Sequence, residues 1–329
     1  MADSEFALIR RHFTRPAPDG VLGVGDDCAL LPPMRGHLAI STDLLVEDIH
    51  FFPDVDPVAL GHKALAVNLS DLAAMGAAPR AFTLAIALPH VDHDWLDAFA
   101  RGLFALADAH GCALVGGDTT RSPQGVTMDV TIFGEVPASQ ALRRDGASAG
   151  DDVWVSGTLG DADVALRLLL ADGSVLDPDG TLLAATRRAL EWPQPRVALG
   201  LALRGVASAA LDISDGLAQD LGHILAASGV GAELRLADLP LSPALAAMPA
   251  EQARRSALSG GDAYELCFCA PPSARDALAV LSERLSLRLT RVGRLVAGSG
   301  LRVVDESGNE VSPGAGGFDH FGATAADRA

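Results

Sequence analysis

Positive charge is what this sequence has least of. Lys63 is the only lysine among 329 residues, and 25 Lys+Arg stand against 42 Asp+Glu for a formal charge of −17. A surface of that sign argues against a phosphate-backbone footprint and against an anionic membrane, so neither nucleic acid nor membrane is expected as a partner. Cysteine is scarce as well. Cys28, Cys112, Cys267 and Cys269 fit neither a zinc spacing nor a disulfide framework, and Cys267 and Cys269 alternate as in a buried strand. All four are expected as reduced thiols in a cytoplasmic protein. No apolar run reaches the roughly 18 to 20 residues of a membrane span, and Met1 to Glu5 carries acid where a signal peptide would carry base.

Apolar residues make up 49% of the chain, enough to fill two cores, and a chain of this length predicts two domains of about 150 residues each. The small, charged stretch from Ala138 to Gly150 places the boundary, giving 1–145 and 146–329. Two glycines precede two adjacent carboxylates in Gly23-Val24-Gly25-Asp26-Asp27. Glycine permits a tight turn and close backbone approach, while neighbouring aspartates repel unless a cation or a strong donor set lies between them. One such turn is ordinary, but the pattern recurs at Ser41-Thr42-Asp43, Asn68-Leu69-Ser70-Asp71, Gly116-Gly117-Asp118, Asp212-Ile213-Ser214-Asp215 and Gly260-Gly261-Asp262.

Pro57 to Met75 reads as the best helix, opened by Asp56-Pro57 and closed by Gly76. Its apolar residues circle most of it, and Lys63, Asn68 and Asp71 interrupt them with polar groups that are costly to bury unpaired. Asp71 is therefore a site candidate, with a satisfied core hydrogen bond as the alternative. Further helices are expected over 5–13 and 92–110. Strands are expected over 37–41, running into Thr42-Asp43, and over 81–88, 113–115 and 126–136, which suggests a mixed sheet with helices on one face. Gly116 to Arg121, glycines at a strand end beside hydroxyls and an arginine, suits a phosphate cradle. The pattern restarts with strands over 152–156, 209–213 and 264–270. Gly157 to Asp161 lacks the lysine of a phosphate loop and reads as structural, and His50, a lone histidine, reads as structural or solvated.

The runs Gly25-Asp26-Asp27-Cys28-Ala29, Lys63 to Ala77, Gly116 to Arg121, Asp212 to Leu217 and Gly317-Phe318-Asp319-His320-Phe321 together resemble the thiamine-monophosphate kinase family, over nearly the whole chain and in order. The resemblance implies the two-domain α/β (α+β) fold of the aminoimidazole ribonucleotide synthetase-like superfamily. In that fold the mixed sheet of the N-terminal domain pairs with its twin as a dimeric β-barrel, an α/β domain follows, and ATP lies in a groove near the homodimer interface. It implies ATP-dependent phosphorylation of thiamine monophosphate to thiamine diphosphate, assisted by several Mg²⁺ ions. Carried across, Asp27, Ser41, Thr42, Asp43, Asp71, Asp118, Asp212 and Asp215 fall on magnesium positions. Gly117, Asp118, Arg144 and Ser214 fall on ATP positions, and His50, Asp262 and Phe318 on positions for the thiamine phosphate, with no nucleophile or general base among them. The family usually reads Gly-Gly-Glu where Asp262 stands here, and Ala263 replaces an acid.

Acidic residues with one lysine suit such a reaction only if a hard cation neutralises the joined phosphates. Two other readings stay open: another ATP-dependent enzyme of the superfamily, which would have a different tail, and a non-catalytic nucleotide- or cation-binding module, which would bind without turnover.

Overall fold

The computed structural model describes residues 4–171 and 177–312, and its contacts divide the chain into two compact units, Met1–Ala141 and Leu142–Ala329.

In the first unit Ser4 caps α1 (Glu5–Leu8), accepting the Ala7 N–H. There follow β1 (His37–Val46), α2 (Pro57–Ala74), β2 (Ala78–Leu88), α3 (His93–His110), β3 (Ala113–Arg121) and β4 (Thr127–Val136). The strands form a mixed sheet in the order β1-β4-β2-β3, with β4 antiparallel to both neighbours and β2 parallel to β3. Asp56 opens α2 by accepting the Val58 N–H at 2.9 Å. The helix then crosses α3 at backbone contact: a Cβ on Gly61 would lie 2.0 Å from the Phe99 carbonyl oxygen, and one on Gly102 would lie 1.9 Å from that of Val58. That closeness needs glycine on both helices, and it buries nearly all of α2, Lys63 and Asn68 included. Helices cover one face of the sheet. On β1 the other face exposes Leu38, Ile40 and Leu44 to between 50% and 59%.

Three strands run further than the residue pattern suggests: β2 begins at Ala78, where it pairs with Glu135, and β1 and β3 extend at their ends. Pairing from His37 opposite Val136 to Val46 opposite Thr127 carries β1 through Thr42 and Asp43, and β3 continues beyond Val115 to Arg121. Backbone pairing to the neighbouring strand decides all three. Thr42 and Asp118 stand on the open face, where polar side chains cost little, whereas Asp43 turns to the helix-covered side.

The second unit contains β5 (Asp152–Ser156), α4 (Asp161–Leu170), α5 (Thr181–Glu191), α6 (Val197–Ala202), β6 (Ala209–Ile213), α7 (Leu217–Ser228), β7 (Gly231–Arg235), α8 (Pro243–Ala246), α9 (Ala250–Ser259), β8 (Glu265–Ala270), α10 (Arg275–Leu285), β9 (Leu289–Val296), β10 (Gly300–Val304) and β11 (Glu310–Val311). Its sheet runs β11-β10-β7-β9-β5-β8-β6. The core joins Val153, Val155, Leu211 and Ile213 of the sheet to Leu217, Leu221 and Ile224 of α7. Cys267 and Cys269 lie fully buried in β8, as their alternation suggests, and burial pushes the Cys269 thiol up to about 12.

Candidate active site

In the first unit the strand β1 and the helix α2 bring acids together. Successive strand residues face opposite ways, so Ser41 and Asp43 point to the helix-covered side and Thr42 to the open one. Ser41 Oγ donates a short hydrogen bond to Asp71 of α2. Asp43 is driven up to about 7, first by burial, then by the negative charge of Asp71, then by that of Asp129; all three act in the same direction. Thr42 turns its hydroxyl to Asp129 at 2.8 Å and to Thr131 at 3.0 Å. Strand register sets Asp118 of β3 beside Ala85, which itself pairs with Asp129, so Asp118 faces the open side too. Its carboxylate accepts the Thr119 N–H at 2.9 Å. Gly117 has a φ of 147° and leaves no room for a side chain, since a Cβ would meet the Leu84 carbonyl oxygen at 1.8 Å.

Asp27 stays on an exposed turn, its N–H held by Asp26 at 2.9 Å. His50 is half-buried and structurally engaged: its Nδ1 accepts the Val46 N–H at 3.0 Å. The Lys63 amine, 4% exposed, lies 3.5 Å from the His50 carbonyl oxygen, so the sole lysine sits under the histidine loop.

The second unit gathers Asp212, Ser214, Asp215 and Asp262. Asp212 lies on β6 opposite Leu266 of β8, and the strand delivers Ser214 and Asp215 to the start of α7. One carboxylate oxygen of Asp220 accepts the N–H groups of Ser214, Asp215 and Gly216. Burial raises the Asp220 carboxyl to about 6, against the pull of those N–H groups. Asp262 donates its N–H to the Ser214 carbonyl at 2.8 Å, and Asp262 and Tyr264 hold φ of 59° and 48°. Such φ is uncommon for residues with side chains, and here it accompanies a loop pressed onto the neighbouring strip. Arg144 exposes its side chain, while its carbonyl accepts from the Ser228 hydroxyl at 2.7 Å. Phe318 lies outside the described residues.

Asp129 and Asp220 are absent from the residues picked out by sequence. Asp129 stands in an alternating strand like any outward polar residue. Asp220, in the first turn of an apolar helix, had a signal: an acid flanked by core leucines four residues after a glycine must find donors.

The donors at Ser41, Asp43 and Asp71 are hard oxygens, and burial and then the charge of Asp71 disfavour the ionised Asp43 carboxyl, a donor set that fits a magnesium ion. Among the described residues no group of three His, Cys, Asp or Glu side chains stands arranged to hold a metal. An ion there would complete its shell with water and phosphate oxygens, as magnesium commonly does.

The family profile described as AIR synthase related protein, N-terminal domain, matches residues 25–136, and its C-terminal counterpart matches 148–306. The thiamine-monophosphate kinase of Escherichia coli K12 is 48% identical over 328 residues, covering 98% of this chain and 99% of its own. The crystal structure of thiamine-monophosphate kinase from Stenotrophomonas maltophilia K279a superposes with a TM-score of 0.82 at 47% identity, over 94% of this chain and 98% of that one. AaThiL, solved in complex with AMPPCP and TMP, gives 0.73 at 32% identity over 86% and 87%.

Proposed function

The chain belongs to the thiamine-monophosphate kinase family, and from that premise we propose that it transfers the γ-phosphoryl group of ATP to thiamine monophosphate, giving thiamine diphosphate and ADP. The observation that carries the site assignment is the Ser41 hydroxyl donated to Asp71, on the same side of β1 as Asp43, whose carboxyl burial and then the negative charge of Asp71 raise. Phosphoryl transfer between two anions depends on positioning and on cancelling charge. Ser41, Asp43 and Asp71 would hold magnesium on the helix-covered side of the first unit's sheet; Asp27 and Asp118 are further carboxylate candidates of that unit, and Asp212 and Asp215 are those of the second. The bound ion would neutralise phosphate oxygens in a chain with a single lysine and a formal charge of −17.

The acceptor needs no general base. A phosphate monoester loses its second proton with a pKa near 6, so its oxygen is already an anion at neutral pH. His50, its Nδ1 fixed by the Val46 N–H, orients the acceptor phosphate. Asp262 and Phe318 contact the thiamine, Phe318 by stacking. In the first unit Gly117 lets backbone N–H groups approach the nucleotide, and in the second Ser214 and Arg144 are the nucleotide-binding candidates. The exposed Leu38, Ile40 and Leu44 form the face on which a second copy docks to make a cytoplasmic homodimer.

Purified protein incubated with Mg-ATP and thiamine monophosphate should yield thiamine diphosphate by chromatography. ATP consumption that needs a purine ribonucleotide instead, or nucleotide binding without product, would overturn the assignment.

A further inference from the structure

One oxygen of Asp220 accepts three consecutive backbone N–H groups, those of Ser214, Asp215 and Gly216, at 3.1, 3.0 and 3.0 Å. Asp220 is 4% exposed, so this carboxylate faces the strip rather than water. The strip is held from its other edge as well: the carbonyls of Ile213 and Ser214 accept the N–H groups of Tyr264 and Asp262, each at 2.8 Å. That second loop comes close only because it carries glycine, since a Cβ on Gly261 would lie 2.7 Å from the Ser214 carbonyl oxygen. N–H groups on one side and carbonyls on the other leave the backbone of the strip little freedom.

We propose that Asp220 is a positioning residue that fixes the strip from Ile213 to Gly216 in register with the Asp262 loop. Ser214 and Asp215, on the nucleotide and magnesium side, are thereby aligned with Asp262 on the acceptor side through one shared backbone. The inference rests on the roles assigned above to Ser214, Asp215 and Asp262. Plain stabilisation of the start of α7 is the competing role, and it would change melting without changing binding or turnover in the folded protein. A buried carboxylate bonded to three donors does more than cap: its loss frees three N–H groups, two of them at Ser214 and Asp215, the residues assigned to the ligand.

The test compares wild type with Asp220→Ala and Asp220→Asn, using amide hydrogen exchange at residues 214–216, calorimetric binding of the β,γ-methylene ATP analogue with Mg²⁺, and steady-state kinetics. In Asp220→Ala that still melts cooperatively above the assay temperature, exchange at the three amides should rise by about tenfold or more. Analogue affinity and kcat should each fall on the order of 10- to 100-fold, and Asp220→Asn, which keeps one neutral acceptor, should fall between. A folded Asp220→Ala whose affinity and kcat stay within about threefold of wild type overturns the inference. Should alanine not fold, Asp220→Asn decides by the same limits. If wild type makes no thiamine diphosphate, the kinase assignment fails, while amide exchange and analogue binding still judge Asp220.

Discussion

In the second unit Asp152 is buried against two arginines, Arg275 at 2.7 Å and Arg291 at 3.3 Å, and Glu265 is held by Arg196 and Ser156. In the first unit the charges that act on Asp43 are those of Asp71 and Asp129, both negative. The hydrogen bond from Arg275 holds the Asp152 carboxyl below the ordinary carboxylate range, while burial and two like charges lift Asp43 far above it. Asp152 is buried and Asp43 half-buried, and they separate by partner. An acid matched to arginine has its charge neutralised by the fold itself, whereas an acid matched to acids becomes comfortable only when a cation arrives from outside. The first kind serves structure and the second marks the site.

The sharpest break between the two would come from removing one acid of the first unit. Asp71→Asn should lower kcat by about 2 to 4 kcal/mol of transition-state stabilisation with the fold intact, the size of losing one preorganised electrostatic group. Steady-state kinetics alongside circular dichroism checks this, and near wild-type turnover at saturating Mg²⁺ would take Asp71 out of the site. The mirror experiment strips Asp152 of its arginines. Arg275→Ala with Arg291→Ala should cost about 2 to 3 kcal/mol of stability, seen as a lower melting temperature, because it leaves a buried carboxylate without its cations. Turnover measured well below melting should stay at the wild-type level; a parallel loss of kcat would dissolve the distinction.

A pH series sharpens the contrast more gently. The Asp43 carboxyl titrates near 7 in the fold and near 4 when unfolded. Between those values the metal-free folded state holds a proton that the unfolded state has released, so stability falls as pH rises through that window and levels off above it. Asp43→Asn should flatten that slope in melting curves of metal-free protein. Asp152 works in the other direction: the stability it supplies is fully present above the ordinary carboxylate range and is lost as pH falls through its lowered folded value. The smallest effect is expected at Thr42, whose hydroxyl faces Asp129 and Thr131 rather than Asp71. Thr42→Val should change kcat/KM by no more than about threefold, and a larger loss would bring the hydroxyl into the chemistry.

Much of this was legible in the residues. The cap at Asp56, the proline after it and the apolar girth of the following helix announce Pro57–Ala74, and the run from Ala209 to Ile213 is the observed strand without adjustment. Asp71 was visible because a polar group in so buried a helix needs a reason. Less legible were features that depend on partners distant in sequence. Asp43 and Ser41 lie within strand β1 because 10 residues pair with β4, information carried by neither segment alone. The sidedness that separates Thr42 from Asp43 appears only once the strand is known to continue through both. Asp220 looks like any acid in the first turn of a helix until three N–H groups converge on it. The left-handed backbone at Asp262 and Tyr264 could not be read from residue types that seldom adopt it.

The most direct test of the distinction between acids matched to arginine and acids matched to acids is a melting experiment at pH 8 on wild type and Asp71→Asn, each metal-free and then with Mg²⁺ and the β,γ-methylene ATP analogue. A ligand that binds only the folded state stabilises it by an amount that grows with the logarithm of its concentration over its Kd, and so raises the melting temperature. Wild type should rise clearly on addition, and Asp71→Asn should keep only a small part of that rise. An equal rise in both proteins would mean that the Asp43–Asp71 pair does not hold the cation, and the acids of the first unit would lose their claim to be the site.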